Sequence, residues 1–154
     1  MSFKLDPILE RDSHHLTQLK LCQIRLMDNS DYPWLILVPM KNNIIEITDF
    51  EQTDYDLFNW EIRKVAKILQ NEFKPDKLNI ATIGNIVPQL HVHIIVRFKN
   101  DRLFPKTVWG SQFVPYEHEN LKAIKDSVKD AYVRAKEIEN LEQTLKALIA
   151  NDIS

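Results

Sequence analysis

The sequence predicts an α+β domain with an antiparallel sheet, on three observations. Two apolar segments, 19–27 and 34–38, flank a short polar turn and read as a hairpin. Phe58, Ile62, Val65 and Leu69 then recur at steps of four and three, the stripe of one amphipathic helix. Two more strand-like segments, 77–83 and 89–98, precede a second, longer stretch of helical periodicity.

Taken in order, Cys22, Ile24 and Leu26 share one face of the first segment while Gln23, Arg25 and Met27 share the other, which predicts a half-buried strand. Residues 28–33 are turn chemistry, rich in Asp, Asn and Ser and closed by Pro33. The run 34–38 is apolar throughout and ends at Pro39, as expected of a strand buried on both faces. Thr48-Asp49-Phe50-Glu51 has capping-box spacing; Thr53, followed by Asp54 and Asp56, is an equal candidate for the helix start, and Pro75 ends it. Gly84-Asn85 lies in the connection between the last two strands, and 99–105 reads as loop. From Leu121 to Leu148, apolar residues at threes and fours predict one long helix, or two broken near Glu139-Asn140. A single domain over 1–154 results, with its core at about 16–112 and a C-terminal helical extension at 117–150.

Composition excludes several classes. The 154 residues are 44% hydrophobic and 27% charged, ordinary globular values, so neither disorder nor a fibrous repeat is indicated. Twenty basic against 22 acidic side chains give −2, which argues against dedicated nucleic-acid binding. The apolar run 34–40 falls far short of the ~20 residues that span a bilayer, and the first seven residues lack the apolar core of a secretory signal. One cysteine, Cys22, cannot form an internal disulfide, and a cytoplasmic location is expected. Only Gly84 and Gly110 are glycine, which excludes P-loop and dinucleotide-binding motifs.

The chemistry concentrates at residues 84–97. On a strand, Gln89, His91 and His93 project together while Leu90, Val92, Ile94 and Val96 project oppositely, with successive same-face residues roughly 6.5–7 Å apart. Paired imidazoles there have three readings. They are core histidines bonded to backbone; or a metal site completed by His14, His15, His118 or a carboxylate; or a nucleophile and its partner acting at phosphorus. Gly84-x-x-x-x-Gln89-Leu90-His91-Val92-His93-Ile94-Ile95 resembles the histidine triad (HIT) signature, His-φ-His-φ-His-φ-φ with φ apolar, preceded by glycine at the same distance. The order of strand, Asp28-centred turn, strand and helix is similar too. Residues 76–93, with Val108-Trp109-Gly110, resemble a bacterial branch of HIT-like, diadenosine tetraphosphate hydrolase-like proteins.

The resemblance implies a HIT-like fold and a nucleotide hydrolase or transferase acting on dinucleoside polyphosphates or nucleoside monophosphate conjugates. By position, it makes His91 the nucleophile that carries a covalent nucleotidyl intermediate and His93 the group that holds phosphate or leaving-group oxygen and helps to transfer a proton. It makes Asn85 a phosphate contact and places Asp28 near a ribose-binding position; a turn-stabilising Asp28 and a connecting Asn85 are the plainer alternatives. Trp109 is a candidate base-stacking residue, or simply core, and Arg97, Lys99, Arg102 and Lys106 are candidate attractors of polyphosphate. No cofactor or protein-held metal is implied, beyond a divalent ion that would accompany a polyphosphate; a homodimer is. Two positions depart from the family pattern. Gln89 replaces the first histidine and cannot carry charge, though its amide can orient neighbours or contact phosphate. Ile86 replaces a hydroxyl residue. The alternative is therefore a nucleotide-binding module with weakened or no catalysis.

Overall fold

The computed structural model describes residues 2–152; Met1 and residues 153–154, the ends of the expected domain span, lie outside the described residues. Its elements are α1 (Pro7–Asp12), β1 (Ser13–Gln18), β2 (Cys22–Met27), β3 (Trp34–Pro39), a 3-10 turn (Ile47–Asp49), α2 (Gln52–Phe73), β4 (Lys77–Ala81), β5 (Val92–Arg97) and α3 (His118–Asp152). The strands form one antiparallel sheet in the order β1-β2-β3-β5-β4. The α+β architecture is as expected.

Helices α2 and α3 cover one face of the sheet. Ile24, Leu26, Leu35, Leu37, Val92, Ile94 and Val96 meet Phe58, Val65 and Leu69 of α2 and Val128 of α3 there. The other face carries Met27, Trp34, Ile36, Val38 and Ile95, closed by the N-terminal segment through Leu9 and by the post-β5 loop through Val108. Coverage on both sides explains why β2, expected to be half-buried, is buried along its whole length. Its polar residues are paired instead: the Arg25 guanidinium donates to Ser13 Oγ, Ser13 O and Gln23 Oε1.

Several boundaries differ from the sequence expectation. Helix α2 begins at Gln52, the later of the two candidate starts. Thr48 caps nothing; the Asp49 carboxylate accepts from the Ile45 and Glu46 N–H groups and closes the 3-10 turn. Lys74 ends α2 in the left-handed region, at φ 49°, one residue before Pro75. Helix α3 runs unbroken through Glu139-Asn140, and its last apolar residues, from Ile138 to Ile149, are exposed. Neither α1 nor β1 was expected. A register shift between His15 and Thr17 gives β1 a three-residue burial rhythm, which hides it from a period-two reading. Among the described residues no helix is long and apolar enough to cross a membrane.

Candidate active site

β5 lies between β3 and β4 and begins at Val92, so His91 sits just ahead of the strand and His93 is its second residue, opposite Ile36. The two rings are edge to face, 4.8 Å between centroids, and each residue is only 7% exposed. Both open on a cleft of about 440 Å³. Its floor and walls include Leu9, Arg11 and Asp12 of the N-terminal segment, Met27, Trp34, residues 83–87, Trp109, Gly110 and Phe113. Gly84, at φ 69°, makes the turn that places Asn85 and Ile86 on the rim.

The two imidazoles are held differently. His91 Nδ1 is 2.7 Å from the carbonyl oxygen of Gln89, which only accepts, so Nδ1 carries the proton and the Nε2 lone pair is left free. The Trp34 indole N–H donates to His93 Nδ1 at 3.0 Å. Burial lowers the pKa of His91, against smaller upward pulls from the Gln89 carbonyl and Asp6. His93 is pushed down to about 3, mainly by burial and further by His91.

An aromatic wall surrounds the pair. Trp34 is stacked with Phe113 at 5.5 Å, and Trp109 stands edge-on to both Trp34 (6.2 Å) and His93 (5.6 Å). Trp109 therefore lines the cleft beside His93. The loop that brings it there is anchored by Arg97, whose Nε and Nη2 donate to Asp101, Nη1 to Asn79 and Nη2 to the Lys106 carbonyl. The Asp101 carboxylate also accepts from the Phe98, Leu103 and Phe104 N–H groups, and Arg97 holds its pKa down to about 2. Arg97 is 2% exposed and so is a structural hub, not an attractor of polyphosphate. Arg102 pairs with Asp31, and neither it nor Lys99 nor Lys106 lines the cleft.

Two other sequence candidates land elsewhere. The Asp28 carboxylate accepts from the Tyr116 N–H and lies 3.5 Å from His14 Nε2, outside the cleft lining. Its turn is pinned to the segment entering α3, which is the plainer of its two readings. Gln89 also turns away from the large cleft: Oε1 accepts from Asp6 N–H and Nε2 donates to the Lys4 carbonyl. The amide thus orients neighbours and is not free for phosphate. Asn85 does border the cleft, and with Gln89 and His91 it also lines a smaller cavity of about 170 Å³. Among the described residues no three His, Cys, Asp or Glu side chains converge as a metal site.

Residues 9–100 match the HIT domain. The chain belongs to the HIT family. A HIT protein from Sinorhizobium meliloti superposes with a TM-score of 0.81 at 38% identity, over 84% of this chain and 96% of that one. One from Marinobacter aquaeolei gives 0.84 at 34% identity, over 88% and 99%. A curated relative, the bis(5'-adenosyl)-triphosphatase of Saccharomyces cerevisiae, is 24% identical over 70 residues, covering 42% of this chain. That match spans 34% of the relative's length.

In this HIT domain, sequence reading missed the contribution of the N-terminal segment. Asp6 before Pro7 was the available signal: Asp6 caps α1 by accepting from the Ile8 N–H, and proline fits the first helical position. Helix α1 then places Arg11 and Asp12, themselves an ion pair, on the cleft. Trp34 and Phe113 were missed for another reason. Nothing in a hydrophobic run marks which aromatic residue will meet a histidine across the sheet.

Proposed function

We propose that this HIT domain is a nucleotide hydrolase or transferase in which His91 Nε2 attacks the α-phosphorus of a nucleotide conjugate. The observation that carries the reading is the bond from His91 Nδ1–H to the Gln89 carbonyl, which leaves a neutral nitrogen lone pair facing a cleft large enough for a nucleoside. In the first step the Nε2–P bond forms and the bond to the leaving group breaks, its electron pair departing with that group. The nucleotidyl-imidazolium keeps its proton on Nδ1, donated in a hydrogen bond to the Gln89 carbonyl. Water, or an acceptor hydroxyl, then attacks phosphorus, the P–N electrons return to Nε2, and the water proton passes to solvent.

His93 and Asn85 contact phosphate oxygens in this reading, and Trp109, with Trp34 and Phe113 behind it, forms the apolar wall for the base. Asp12, not Asp28, is the acidic group on the cleft and takes the ribose role. The substrate class is nucleoside monophosphate conjugates and dinucleoside polyphosphates; the similarity to a yeast bis(5'-adenosyl)-triphosphatase supports the second. A polyphosphate would bring its own divalent ion. A homodimer joined through β4 is the expected assembly. That strand is one of the two outer strands of the sheet and keeps Ile80 46% exposed, and its unpaired edge can extend the ladder into a second copy.

The alternative, a binding module without turnover, is favoured by one observation: the position of the first triad histidine holds an uncharged amide already committed to Lys4 and Asp6. Assays with diadenosine tetraphosphate and adenosine 5'-phosphoramidate separate the two. Turnover by the native protein, falling on the order of 10³-fold or more in His91→Ala, is expected. Unchanged turnover in that variant would overturn the role of His91, and tight binding without turnover selects the module.

A further inference from the structure

We propose that Trp34 is a positioning residue that fixes His93 as its neutral Nε2–H tautomer, so that His93 serves as a hydrogen-bond donor to substrate oxygen and not as an acid. An indole N–H can only donate. Its 3.0 Å bond to His93 Nδ1 therefore requires a lone pair on Nδ1, and the single proton of a neutral ring must reside on Nε2. Protonating the ring would set two N–H groups against each other. The contact is built into the sheet: His93 pairs with Ile36, and Trp34 lies two residues along β3 on the same face, within diagonal reach. Trp34 is itself immobilised, 1% exposed, between Phe113 and Trp109.

The consequence is a division of labour between neighbouring rings. A carbonyl acceptor at His91 Nδ1 exposes a lone pair; an indole donor at His93 Nδ1 exposes an N–H. The other titratable groups facing His93 do not reverse this. His91 stands on its own segment, and across the cleft Arg11 and Asp12 of α1 pair with each other. Burial keeps the ring neutral through the physiological range. Applied to the proposed nucleotidyl transfer, on which this consequence rests, His93 stabilises charge on phosphate oxygen but transfers no proton. A phosphate leaving group departs as the anion with the P–O electrons and needs none. An amine leaving group needs one, and water must supply it.

Nitrogen-15 NMR of the native protein tests the assignment without substrate, so its outcome is independent of the nucleotide reading. A coupling across the hydrogen bond between Trp34 Nε1 and His93 Nδ1 is expected, with Nε2 protonated and the ring unchanged from pH 8 to pH 5. In Trp34→Phe the single tautomer is lost and the His93 titration rises by about one pH unit, the worth of one hydrogen bond. A native ring protonated at Nδ1, or a Trp34→Phe spectrum identical to the native one, overturns the proposal. Because the coupling is read in the native protein, the test survives even a variant that does not fold.

Discussion

The two faces of the sheet bury apolar residues by different means. The helical face is closed by two long regular elements whose side chains recur at helical spacing, and its fully buried residues are aliphatic apart from Phe58 and Cys22, with Phe50, Phe73, Phe98 and Tyr116 at its margin. The cleft face is closed by a six-residue helix and by loops, its buried aromatic residues Tyr32 and Trp34 are joined by the part-buried Phe3 and Trp109, and its order depends on individual polar contacts. Regular packing makes a stable wall over the sheet, and the openings on that side lie along α2 and α3, away from the histidines. Irregular segments leave a gap, and that gap is where His91 and His93 meet solvent.

This contrast breaks most sharply at Arg97. Replacing it with Met leaves Asp101 buried without its cation, and a loss of about 3–5 kcal/mol is expected in urea denaturation. Binding of a nucleotide should weaken as well, because the Trp109 loop hangs from that pair. On the helical face, Leu69→Ala should cost about 2–5 kcal/mol through cavity formation, yet leave nucleotide affinity unchanged while the protein remains folded. Equal effects of the two variants on binding would mean that the faces are not independent.

Acid sharpens the difference next. His93 is neutral in the fold with its pKa lowered from 6.5 to about 3, so below 6.5 the unfolded chain binds the proton that the folded one refuses. Stability then falls by about 1.4 kcal/mol for each pH unit between those values, or about 2 kcal/mol at pH 5. His91 adds to the same slope, and Asp101 adds a further loss from 3.8 down to about 2. Urea midpoints for the native protein and His93→Asn between pH 7 and pH 5 measure it; parallel lines for the two proteins would remove His93 as the cause. The smallest effect is at Gln89. Truncation to Ala should cost about 1 kcal/mol and weaken nucleotide binding by releasing Lys4 and Asp6 of the N-terminal segment from the side chain at 89, with fluorescence titration as the readout.

The helical face was the more legible of the two. Phe58, Val65 and Leu69 announce α2 by spacing alone, and Trp34 to Pro39 announces a buried strand, because burial on a regular element imposes a period on the chain. The histidines were legible as well, through a motif local enough to survive in one dimension. Asp28 shows the opposite case: its approximate place suggested the ribose, while its carboxylate holds Tyr116, 88 residues away in sequence. Arg97 shows it again, since a cation beside the motif is free or buried according to partners, here the Asp101 carboxylate and the Lys106 carbonyl.

Sequence alone settled the strands from β2 onward and the two long helices, their alternation around one antiparallel sheet, the resemblance to the HIT signature and the close spacing of its two histidines. Those are properties of periodicity and short spacing, and local backbone geometry enforces them. The tertiary structure decided which nitrogen of each ring is free, which acid stands on the cleft and where Gln89 points. Each of these depends on a single donor or acceptor brought in from a distant segment, and a hydrogen bond across the fold leaves no period in the chain.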